Sequence, residues 1–475
     1  MTSYCGSCYL WKERKTMLSK FSHIFKMDDG SYAYYNSLYL QPVYVREEDH
    51  CIISSVSANE LPISLPVEVY SELVNNKIIV NSPAEDTLLL NSVQEQLLTP
   101  YPTIMYLILS EKCNLACKYC FLGNANTNIM HHQMSVMKKE IADKALQYFS
   151  FQNKTHPEWF GHSKEIIFYG GEPLLNFETL KYVIDRCKEM QINNEITTEL
   201  NFSMVTNGVL LDKEKIHFLK ENNVAISISI DGIDFESNIN RVNKSGKPIY
   251  DNLLEVLELI KESEYEVGLS ITLTERTISN PDDIISLLDK YQINTVSFNL
   301  LYSTPDFQMS TDYYEKASKF IVDFFKIARI RGIYEDRINR KVEAFVDGTP
   351  YLSDCAATSG SQIVVLPDGR VGICQGCIEN KEFFFTDVNS REPLEQSDEM
   401  QKWCQISPIN KEECLSCKAL GICGGGCPIN GMRNSEKSVY DAIDPGFCVH
   451  AKTTLDFMVR DLYSIINTNS PILPE

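Results

Sequence analysis

The sequence of 475 residues has no apolar run long enough to cross a membrane, and its N-terminus has no hydrophobic segment of the signal-peptide kind. It is also short of positive charge, because 44 lysines and arginines stand against 64 aspartates and glutamates, a formal charge of −20. Since nucleic-acid phosphates are bound mainly by Lys and Arg, this balance argues against a nucleic-acid partner. We therefore expect a cytoplasmic protein with no membrane and no nucleic-acid partner, and we attribute its acidity to solubility.

Cysteine, by contrast, is abundant, with 16 residues. Without a secretion signal, so many cysteines indicate metal binding in a reducing compartment rather than disulfides. Three of them, Cys113, Cys117 and Cys120, are separated by three and then two residues. Three thiolates on one tight loop can bind three irons of a [4Fe–4S] cluster and leave the fourth iron open for a small molecule. A structural zinc site would need a fourth ligand close by, and the neighbouring sequence has none.

Between residue 101 and about residue 335, apolar runs alternate with amphipathic segments, which predicts an α/β fold with a parallel sheet and right-handed crossovers. The six predicted strands are Ile104–Leu109, Glu165–Tyr169, Asn201–Thr206, Ala225–Ile230, Gly268–Leu273 and Thr295–Leu301. Helices are predicted between them, for example at Asn252–Glu262 and Asp282–Tyr291. Six repeats favour an open, partial (β/α)6 barrel, and a doubly wound sheet is the alternative.

Polar and glycine-rich segments follow four of the predicted strands. The cysteine loop follows the first strand, Gly170–Pro173 the second, Thr206–Gly208 the third and Asp231–Gly232 the fourth. Active sites of parallel α/β barrels lie at the carboxyl ends of the strands, so we expect these segments to form one pocket. Ser229 lies on the same strand face as Asp231 because side chains alternate along a strand.

The cysteine loop, with its aromatic Tyr119, resembles the signature of the radical S-adenosylmethionine (SAM) enzymes. The C-terminal cysteines resemble the SPASM domain, an iron–sulfur domain that houses auxiliary clusters, and together the two patterns resemble the peptide maturases of this family over roughly residues 101–450. The resemblance implies a SAM-binding [4Fe–4S] cluster on the loop and two auxiliary [4Fe–4S] clusters. The implied auxiliary ligands are Cys414, Cys417, Cys423 and Cys448 for the outer cluster, and Cys355, Cys374 and Cys427 for the inner one.

The fourth ligand of the inner cluster is open. Some relatives carry another cysteine a few residues after the first of the seven, but Ala356–Ser361 contains none here. Either the inner cluster keeps an open iron that a substrate thiolate can occupy, or Cys377 is the fourth ligand. A zinc ribbon at Cys414–Cys427 is the alternative to auxiliary clusters.

The resemblance also implies which residues contact SAM. Gly170 and Gly171 would let the backbone approach closely, and Gly171 and Glu172 would present a carbonyl and a carboxylate to the SAM ammonium group. Arg241 stands where related maturases carry an arginine that pairs with the SAM carboxylate, and Tyr119 would pack on the adenine. The other implied cofactor contacts are Asn207, Ser229 and Asp231. Ordinary structural roles are the alternatives: a tight turn for the glycines, a surface salt bridge for Arg241 and core filling for Tyr119.

We divide the chain into an extension (1–16, with Cys5 and Cys8), a small α+β unit (17–100), the radical SAM barrel (101–335) and the SPASM auxiliary-cluster domain (336–475). In the second unit the predicted strands and helices are Phe21–Lys26, Tyr32–Asn36, Leu38–Val45, Pro66–Asn76 and Ala84–Leu98. This order resembles the winged-helix leader-binding element of peptide maturases, which binds an extended leader at a sheet edge. A stabilising cap on the barrel is the alternative. The remaining cysteines, Cys51, Cys187 and Cys404, are interpreted as buried packing residues.

The resemblance implies a radical SAM oxidoreductase that acts on a peptide. SAM would be cleaved reductively to a 5′-deoxyadenosyl radical, with the electron coming from an external flavodoxin- or ferredoxin-type donor. A leader-binding element and an open inner cluster favour thioether cross-linking of a cysteine-rich, leader-bearing ribosomal peptide, and carbon–carbon cross-linking comes second. A sulfatase-maturating (formylglycine-forming) enzyme is disfavoured because Gln375 stands where those relatives carry a basic aspartate. An electron carrier without SAM chemistry is disfavoured by Gly170–Pro173, and catalytic residues beyond the cofactor ligands are not assigned.

Overall fold

The computed structural model describes residues 16–54, 65–97, 99–122, 135–302 and 309–468. The predicted extension, with Cys5 and Cys8, lies outside these ranges except for its last residue. Within the described ranges, no helix combines the length and the apolar character needed to span a membrane.

The first hundred residues form two small antiparallel sheets and three helices. The elements are β1 (Met17–Leu18), β2 (Ser22–Lys26), β3 (Tyr32–Asn36), β4 (Val43–Val45), α1 (Glu47–Ser54), α2 (Val67–Asn75), β5 (Ile79–Val80) and α3 (Pro83–Gln94). Strands β2, β3 and β4 form one sheet with β3 in the middle, and β1 pairs with β5. The predicted strand Leu38–Val45 begins only at Val43, because Leu40 has a left-handed φ of 65° that turns the chain.

The predicted alternation of strands and helices is confirmed in the next region. Its elements are β6 (Ile104–Ser110), α4 (Lys139–Lys154), β7 (Lys164–Gly170), α5 (Phe177–Ile192), β8 (Leu200–Thr206), α6 (Lys213–Glu221), β9 (Val224–Ile230), α7 (Tyr250–Glu262), β10 (Gly268–Leu273), α8 (Pro281–Tyr291) and β11 (Thr295–Leu300). Strands β6 to β11 are parallel and lie side by side in chain order. A doubly wound sheet reverses its strand order, so that alternative is wrong.

Strand β9 shows how these strands are oriented. Ile226, Ile228 and Ile230 are buried, whereas Ser227 and Ser229 are only half-buried. Because successive side chains point to opposite faces, the isoleucines face the surrounding helices and the serines face the interior of the curved sheet. Helix α7 packs on the outer face through one stripe of apolar residues at every third and fourth position.

The sheet extends beyond the six predicted strands at both edges. The remaining elements are α9 (Tyr313–Ala328), β12 (Tyr334–Glu335), α10 (Asp336–Asp347), β13 (Gln362–Val365), β14 (Arg370–Gly372), β15 (Phe384–Asp387), α11 (Asp398–Cys404), α12 (Glu412–Leu415), α13 (Leu420–Cys423), α14 (Pro428–Arg433) and α15 (Pro445–Thr468). Strand β12 pairs with β11, while β13 pairs in parallel with β6 and continues into β14 and β15. The cysteine-rich C-terminal region therefore shares a ten-stranded sheet with the barrel.

The sheet β2–β3–β4 packs against the C-terminal region. Phe25 and Tyr35 belong to one buried cluster with Leu455 of α15. The hydroxyl of Tyr44 donates a hydrogen bond to the carbonyl oxygen of Val459 at 2.7 Å. Among the described residues, β2 and β4 each pair with β3 alone, so both are edge strands.

Candidate active site

The cysteine loop leaves the end of β6 and is held against the loop that follows β9. The N–H of Ala116 donates to the carbonyl of Val242 at 2.8 Å, and the N–H of Lys118 donates to that of Asn240 at 3.0 Å. Leu115 is buried beneath this contact, so the two loops form one wall. The wall carries three half-buried thiols: Cys113, Cys117 and Cys120.

These three thiols are close enough to affect each other's ionisation. Burial raises the pKa of Cys113 to about 12, and the neighbouring Glu172, Cys117 and Cys120 add to the rise. Burial likewise raises the pKa of Cys120 to about 11. Three thiolates here would repel one another and need a cationic partner, and coordinated iron is such a partner. The donor set therefore fits an iron–sulfur cluster on this loop.

Gly170 and Gly171, at the end of β7, are required by the close approach of the cysteine loop. A Cβ at Gly170 would lie 2.2 Å from the carbonyl oxygen of Ser110, and a Cβ at Gly171 would lie 2.5 Å from that of Lys112. Gly170 also has a φ of +134°, which residues with side chains rarely adopt. Both glycines thus serve the packing of β7 against the cysteine loop, and their contact with SAM stays a prediction.

Glu172 is buried and joins the ends of two strands to the loop. Its Oε1 accepts a hydrogen bond from the hydroxyl of Thr206 at 2.7 Å, and its Oε2 accepts one from the N–H of Asn207 at 2.9 Å. Burial raises the pKa of Glu172, and these hydrogen bonds oppose the rise. The side-chain amide of Asn207 donates to Asn114 Oδ1 at 2.9 Å and to Cys113 Sγ at 3.7 Å. Since hydrogen bonds to sulfur adjust the reduction potential of a cluster, Asn207 is placed to influence one here.

Tyr119, Asp231 and Arg241 form one hydrogen-bonded network behind the cysteines. The hydroxyl of Tyr119 donates to Asp231 Oδ2 at 2.5 Å, and Arg241 Nη1 donates to the Tyr119 oxygen at 2.9 Å and to Asp231 Oδ1 at 3.1 Å. Burial raises the pKa of Asp231, and the charge of Arg241 opposes the rise. The Nε of Arg241 is buried, and no described residue accepts its proton. A buried guanidinium donor without an acceptor fits an incoming carboxylate, such as that of SAM.

The interior of the barrel is lined by small polar side chains next to this network. Ser229 stands beside Ser270 of β10, and Ser270 stands beside Ser297 of β11. Asn299 donates a hydrogen bond to the hydroxyl of Ser270 at 2.9 Å. Barrel interiors are usually filled by bulky branched residues, so half-buried serines at this level leave space for a ligand.

The inner group of C-terminal cysteines comprises Cys355, Cys374 and Cys427. Burial is the main cause of the raised pKa of Cys427, and both other thiols of the group add to it. Backbone N–H groups reach two of the sulfurs, from Gly376 to Cys374 at 3.3 Å and from Asn430 to Cys427 at 3.4 Å. The structure thus brings together the three residues that the sequence assigned to the inner cluster.

The outer group comprises Cys414, Cys417, Cys423 and Cys448. Burial raises the pKa of Cys448, and Cys414 and Cys417 are nearby causes. The chain separates Cys423 from Cys427, which belongs to the inner group, through Gly424–Gly426. All three glycines have left-handed φ angles, of 66°, 84° and 68°. This run turns the chain sharply, so that two cysteines close in sequence serve different groups.

Over the described parts of the chain, no three His, Cys, Asp or Glu side chains are placed to hold one metal ion. The zinc ribbon at Cys414–Cys427 therefore stays an alternative to the auxiliary clusters.

Sequence reasoning missed Tyr169, which connects the cysteine loop with the inner group. Burial is the main cause of the raised pKa of Tyr169, and the neighbouring thiols of Cys120 and Cys374 add to it. Its ring lies 5.5 Å from that of Tyr106, centroid to centroid, and Tyr106 in turn has Cys355 and Cys374 as neighbours. The signal in the sequence was its position, directly before Gly170 at the carboxyl end of β7.

The prediction that the remaining cysteines are buried is partly wrong. Cys187 and Cys404 are buried, but Cys51 is exposed. Helix α1 turns Ile53 inward, and two residues along a helix differ by about 200° in direction, which leaves Cys51 on the outer face.

Comparison with known proteins identifies the family that the central region matches. Residues 107–288 match the radical SAM superfamily. The radical SAM cyclopropyl synthase TigE of Paramaledivibacter caminithermalis is 25% identical over 448 residues, which are 87% of this chain and 90% of that protein. The cysteine-type anaerobic sulfatase-maturating enzyme of Clostridium perfringens is 26% identical over 337 residues, 67% of this chain and 86% of that protein.

Two solved structures share the fold. Native anSMEcpe with bound AdoMet superposes with a TM-score of 0.64 at 21% identity, over 77% of this chain and 100% of that one. Streptococcus suis SuiB bound to precursor peptide SuiA superposes with a TM-score of 0.50 at 15% identity, over 91% of this chain and 99% of that one. The α/β fold with its central parallel sheet is thereby confirmed. The matched residues form a radical SAM domain, and the chain is a radical SAM enzyme.

Proposed function

We propose that this radical SAM enzyme installs a cross-link in a ribosomally made precursor peptide. The observation that carries the proposal is that Tyr169 neighbours both Cys120 of the cysteine loop and Cys374 of the inner group. A peptide bound in the polar interior would lie beside both groups. Forming a new bond after hydrogen removal releases an electron, and an adjacent second redox centre gives that electron a destination.

The proposed cofactors are a SAM-binding [4Fe–4S] cluster on the cysteine loop and two auxiliary clusters in a SPASM-type domain at residues 336–475. When bound, the first cluster and SAM supply a 5′-deoxyadenosyl radical that removes a hydrogen atom from a peptide carbon. The cysteines fix the position of the clusters. The raised pKa values of the thiols are consistent with a site that is costly to ionise until iron binds. An external flavodoxin or ferredoxin is proposed as the electron donor.

The chain's own residues would orient SAM. The unpartnered Nε of Arg241 supports its role toward the SAM carboxylate, while Tyr119 and Asp231 hold the guanidinium in place. Gly171 is proposed to offer its carbonyl, and Glu172 its carboxylate, to the ammonium group. The other proposed contacts are Gly170, Asn207 and Ser229.

The N-terminal unit is proposed to bind the leader of the precursor peptide. A leader can add as a strand to an open sheet edge, and β2 is such an edge. Ile24 on β2 is 48% exposed, which is unusual for a large apolar residue at a free edge. The packing of this sheet on α15 argues against a simple cap on the barrel strands.

The leader proposal predicts that Ile24→Asp weakens leader binding about tenfold, because burying an isoleucine contributes roughly 1.5 kcal/mol or more. Leu88→Asp is the matched control, since Leu88 is 67% exposed on α3, away from the edge. Fluorescence anisotropy with the labelled leader peptide measures both. Equal binding by both variants and the parent would remove β2 as the leader site.

The type of bond follows from the inner cysteine group and the relatives. The sequence favoured a thioether because an open inner iron could hold a substrate thiolate. In the structure Cys377 lies beside Cys374, so a protein thiol is available for that iron and the argument for a thioether is weaker. The relative that matches 87% of the chain is a cyclopropyl synthase, and a cyclopropyl ring is closed by a carbon–carbon bond. We therefore place carbon–carbon ring closure first and thioether formation second.

A sulfatase-maturating activity is the other candidate, and similarity supports it as well. Two observations count against it. That match covers only 67% of the chain, against 87% for the cyclopropyl synthase. Where the sulfatase-maturating relatives carry a basic aspartate, this chain has Gln375, and an amide is no base near neutral pH. The side-chain oxygen of Gln375 accepts a hydrogen bond from the side-chain amide of Gln362 at 2.8 Å.

One experiment separates these functions. The anaerobically reconstituted enzyme is incubated with SAM, a reductant and the peptide encoded by a neighbouring short reading frame, and then the peptide mass and free thiols are measured. Loss of two hydrogen atoms with all thiols intact supports carbon–carbon closure, and the same loss with one thiol fewer supports a thioether. Turnover of a sulfatase-derived peptide instead would favour the maturase alternative. If the enzyme forms no 5′-deoxyadenosine, either with a peptide substrate or without one, the proposal is overturned.

A further inference from the structure

The inner cysteine group contains three ligands, and a cubane cluster has four irons. The described segment Ala356–Ser361, directly after Cys355, supplies no thiol. The fourth position must therefore be filled by another part of the fold or by something outside the chain. The answer decides whether a substrate sulfur can bind this cluster.

Cys377 lies one turn beyond Cys374. Gln375–Cys377 form a single 3-10 turn, which Cys374 caps by accepting a hydrogen bond from the N–H of Gly376. The N–H of Cys377 donates to the carbonyl oxygen of Cys374 at 3.2 Å. Residues three apart in a 3-10 turn lie on the same side, so the side chains of Cys374 and Cys377 share one side of this turn.

Cys377 is shielded from solvent and lies in the same turn as Cys374 of the inner group. Cys377 is 2% exposed and belongs with Cys374 to the main buried cluster, against which Cys355 and Cys427 pack. The N–H of Lys381 donates to the carbonyl of Cys377 at 2.8 Å and fixes the end of the turn. The turn thus holds a second buried cysteine beside Cys374, which is the inner-group ligand from this segment.

The other buried cysteines outside the cluster groups behave differently. Cys404 is 2% exposed, but burial alone accounts for its raised pKa. Cys187 is fully buried, and its charged neighbour is Arg186. Both are ordinary packing residues. Cys377, by contrast, is a buried cysteine outside the predicted ligand sets that contacts one of the predicted ligands, Cys374.

We infer that Cys377 is the fourth protein ligand of the inner auxiliary cluster. The inference rests on the proposed function, because it presupposes an auxiliary cluster. With four cysteine ligands the inner cluster has no open iron, so a substrate thiolate cannot bind it. The cluster then acts beside the substrate rather than on it.

The test uses the full chain carrying Cys113→Ala, Cys117→Ala and Cys120→Ala. These substitutions remove the proposed SAM-binding cluster, whose fourth iron has no protein ligand. This parent is reconstituted anaerobically, reduced with dithionite and examined by electron paramagnetic resonance with and without cyanide, a ligand for an open iron. We expect cyanide to leave the parent spectrum unchanged. After Cys377→Ala is added, we expect a shifted signal that cyanide shifts again, while Cys404→Ala, the matched buried control, leaves the parent spectrum unchanged.

A cyanide-dependent signal in the parent itself would overturn the inference without any change at Cys377. A Cys377→Ala spectrum identical to that of the parent would also overturn it. A parent protein lighter by two hydrogen atoms after cluster loading would overturn it as well, because that mass would mean a Cys374–Cys377 disulfide. If Cys377→Ala fails to take up iron, Cys377→Ser, whose oxygen can ligate iron, should restore the iron and shift the signal. A parent that binds no iron at all would overturn the proposed auxiliary clusters instead.

Discussion

The cysteine loop and the cysteine-rich C-terminal region both gather thiols, but they assemble them in different ways. The loop takes three thiols from residues 113–120, within a single turn of chain. The C-terminal region builds its inner and outer groups from segments between residues 355 and 448, and it sends Cys423 and Cys427 to different groups. The loop brings its three thiols together largely through its own short sequence. The two C-terminal groups form only after strands and helices that are distant in sequence have packed together.

The two regions also depend on each other. Strand β13 pairs with β6, the strand from which the cysteine loop departs. Lys381 Nζ lies 3.2 Å from Glu111 Oε1 at the start of that loop, and Glu111 Oε2 accepts a hydrogen bond from the N–H of Ser135 at 2.8 Å. The C-terminal region therefore contributes to the rigidity of the loop as well as carrying its own thiols.

The largest effect is expected where the loop is broken. Cys113→Ala should abolish formation of 5′-deoxyadenosine, because the proposed SAM-binding cluster would lose one of its three protein ligands. Iron content should fall by roughly one third, one of the three proposed clusters, since the C-terminal groups do not include this thiol. Both quantities are measured on the anaerobically reconstituted enzyme. Loss of nearly all iron would show instead that the two regions cannot be loaded separately.

The separation of the two C-terminal groups is tested at Gly424. A Cβ there would lie 2.5 Å from the backbone nitrogen of Asp354, at a φ of +66°. Gly424→Ala should lower the free energy of unfolding by about 3 kcal/mol, from strain and overlap together, and should reduce iron while 5′-deoxyadenosine formation partly survives.

Gly246→Ala is the control for this prediction, because Gly246 has a φ of +77° but no atom within 4 Å of the new Cβ. It should show the strain alone, about 1 kcal/mol, with full iron content. Anaerobic thermal unfolding and iron analysis compare the two variants. Equal behaviour would mean that the glycine run serves only local backbone freedom.

The opposite edge of the barrel sheet, where β12 leads into α10, should show a pH dependence. Glu335, where β12 passes into α10, is fully buried, and burial raises its pKa from 4.5 to about 7. Folding then takes up a proton between those values, so the contribution to stability is complete below about pH 4.5 and is lost as the pH rises through 7. Glu335→Gln should remove this slope, roughly 3 kcal/mol across the window from pH 4.5 to 7. Unfolding temperatures from pH 5 to 8 measure it, and an unchanged slope in the variant would assign the dependence elsewhere.

The smallest effect is expected at the SAM pocket. Arg241→Lys keeps the charge but removes the Nε donor and the planar fork, so SAM should bind about tenfold more weakly. Arg276→Lys is the control, since Arg276 is exposed and paired with Glu236. Equilibrium dialysis with SAM compares them. Unaltered affinity in Arg241→Lys would limit Arg241 to holding Tyr119 and Asp231.

Much of this molecule was predictable because its signals are local. The six barrel strands were placed to within a residue or so, since apolar runs and the turn segments after them stand next to each other in the sequence. The cysteine loop and Asp231 were identified from their positions after predicted strands, whereas Arg241 was assigned from the family resemblance. The exposed Cys51 was misjudged, because residue type says little about which face of a short helix turns inward.

What the sequence by itself determined is the class of chemistry: a three-cysteine loop at the carboxyl end of a strand, and seven further cysteines at characteristic spacings. Only the tertiary structure decided that β13 continues the barrel sheet and that Tyr169 neighbours both Cys120 and Cys374. The physical reason is that these contacts join residues far apart along the chain. No local pattern encodes them, and they appear only when β6, β7 and β13 pair and bury their side chains together.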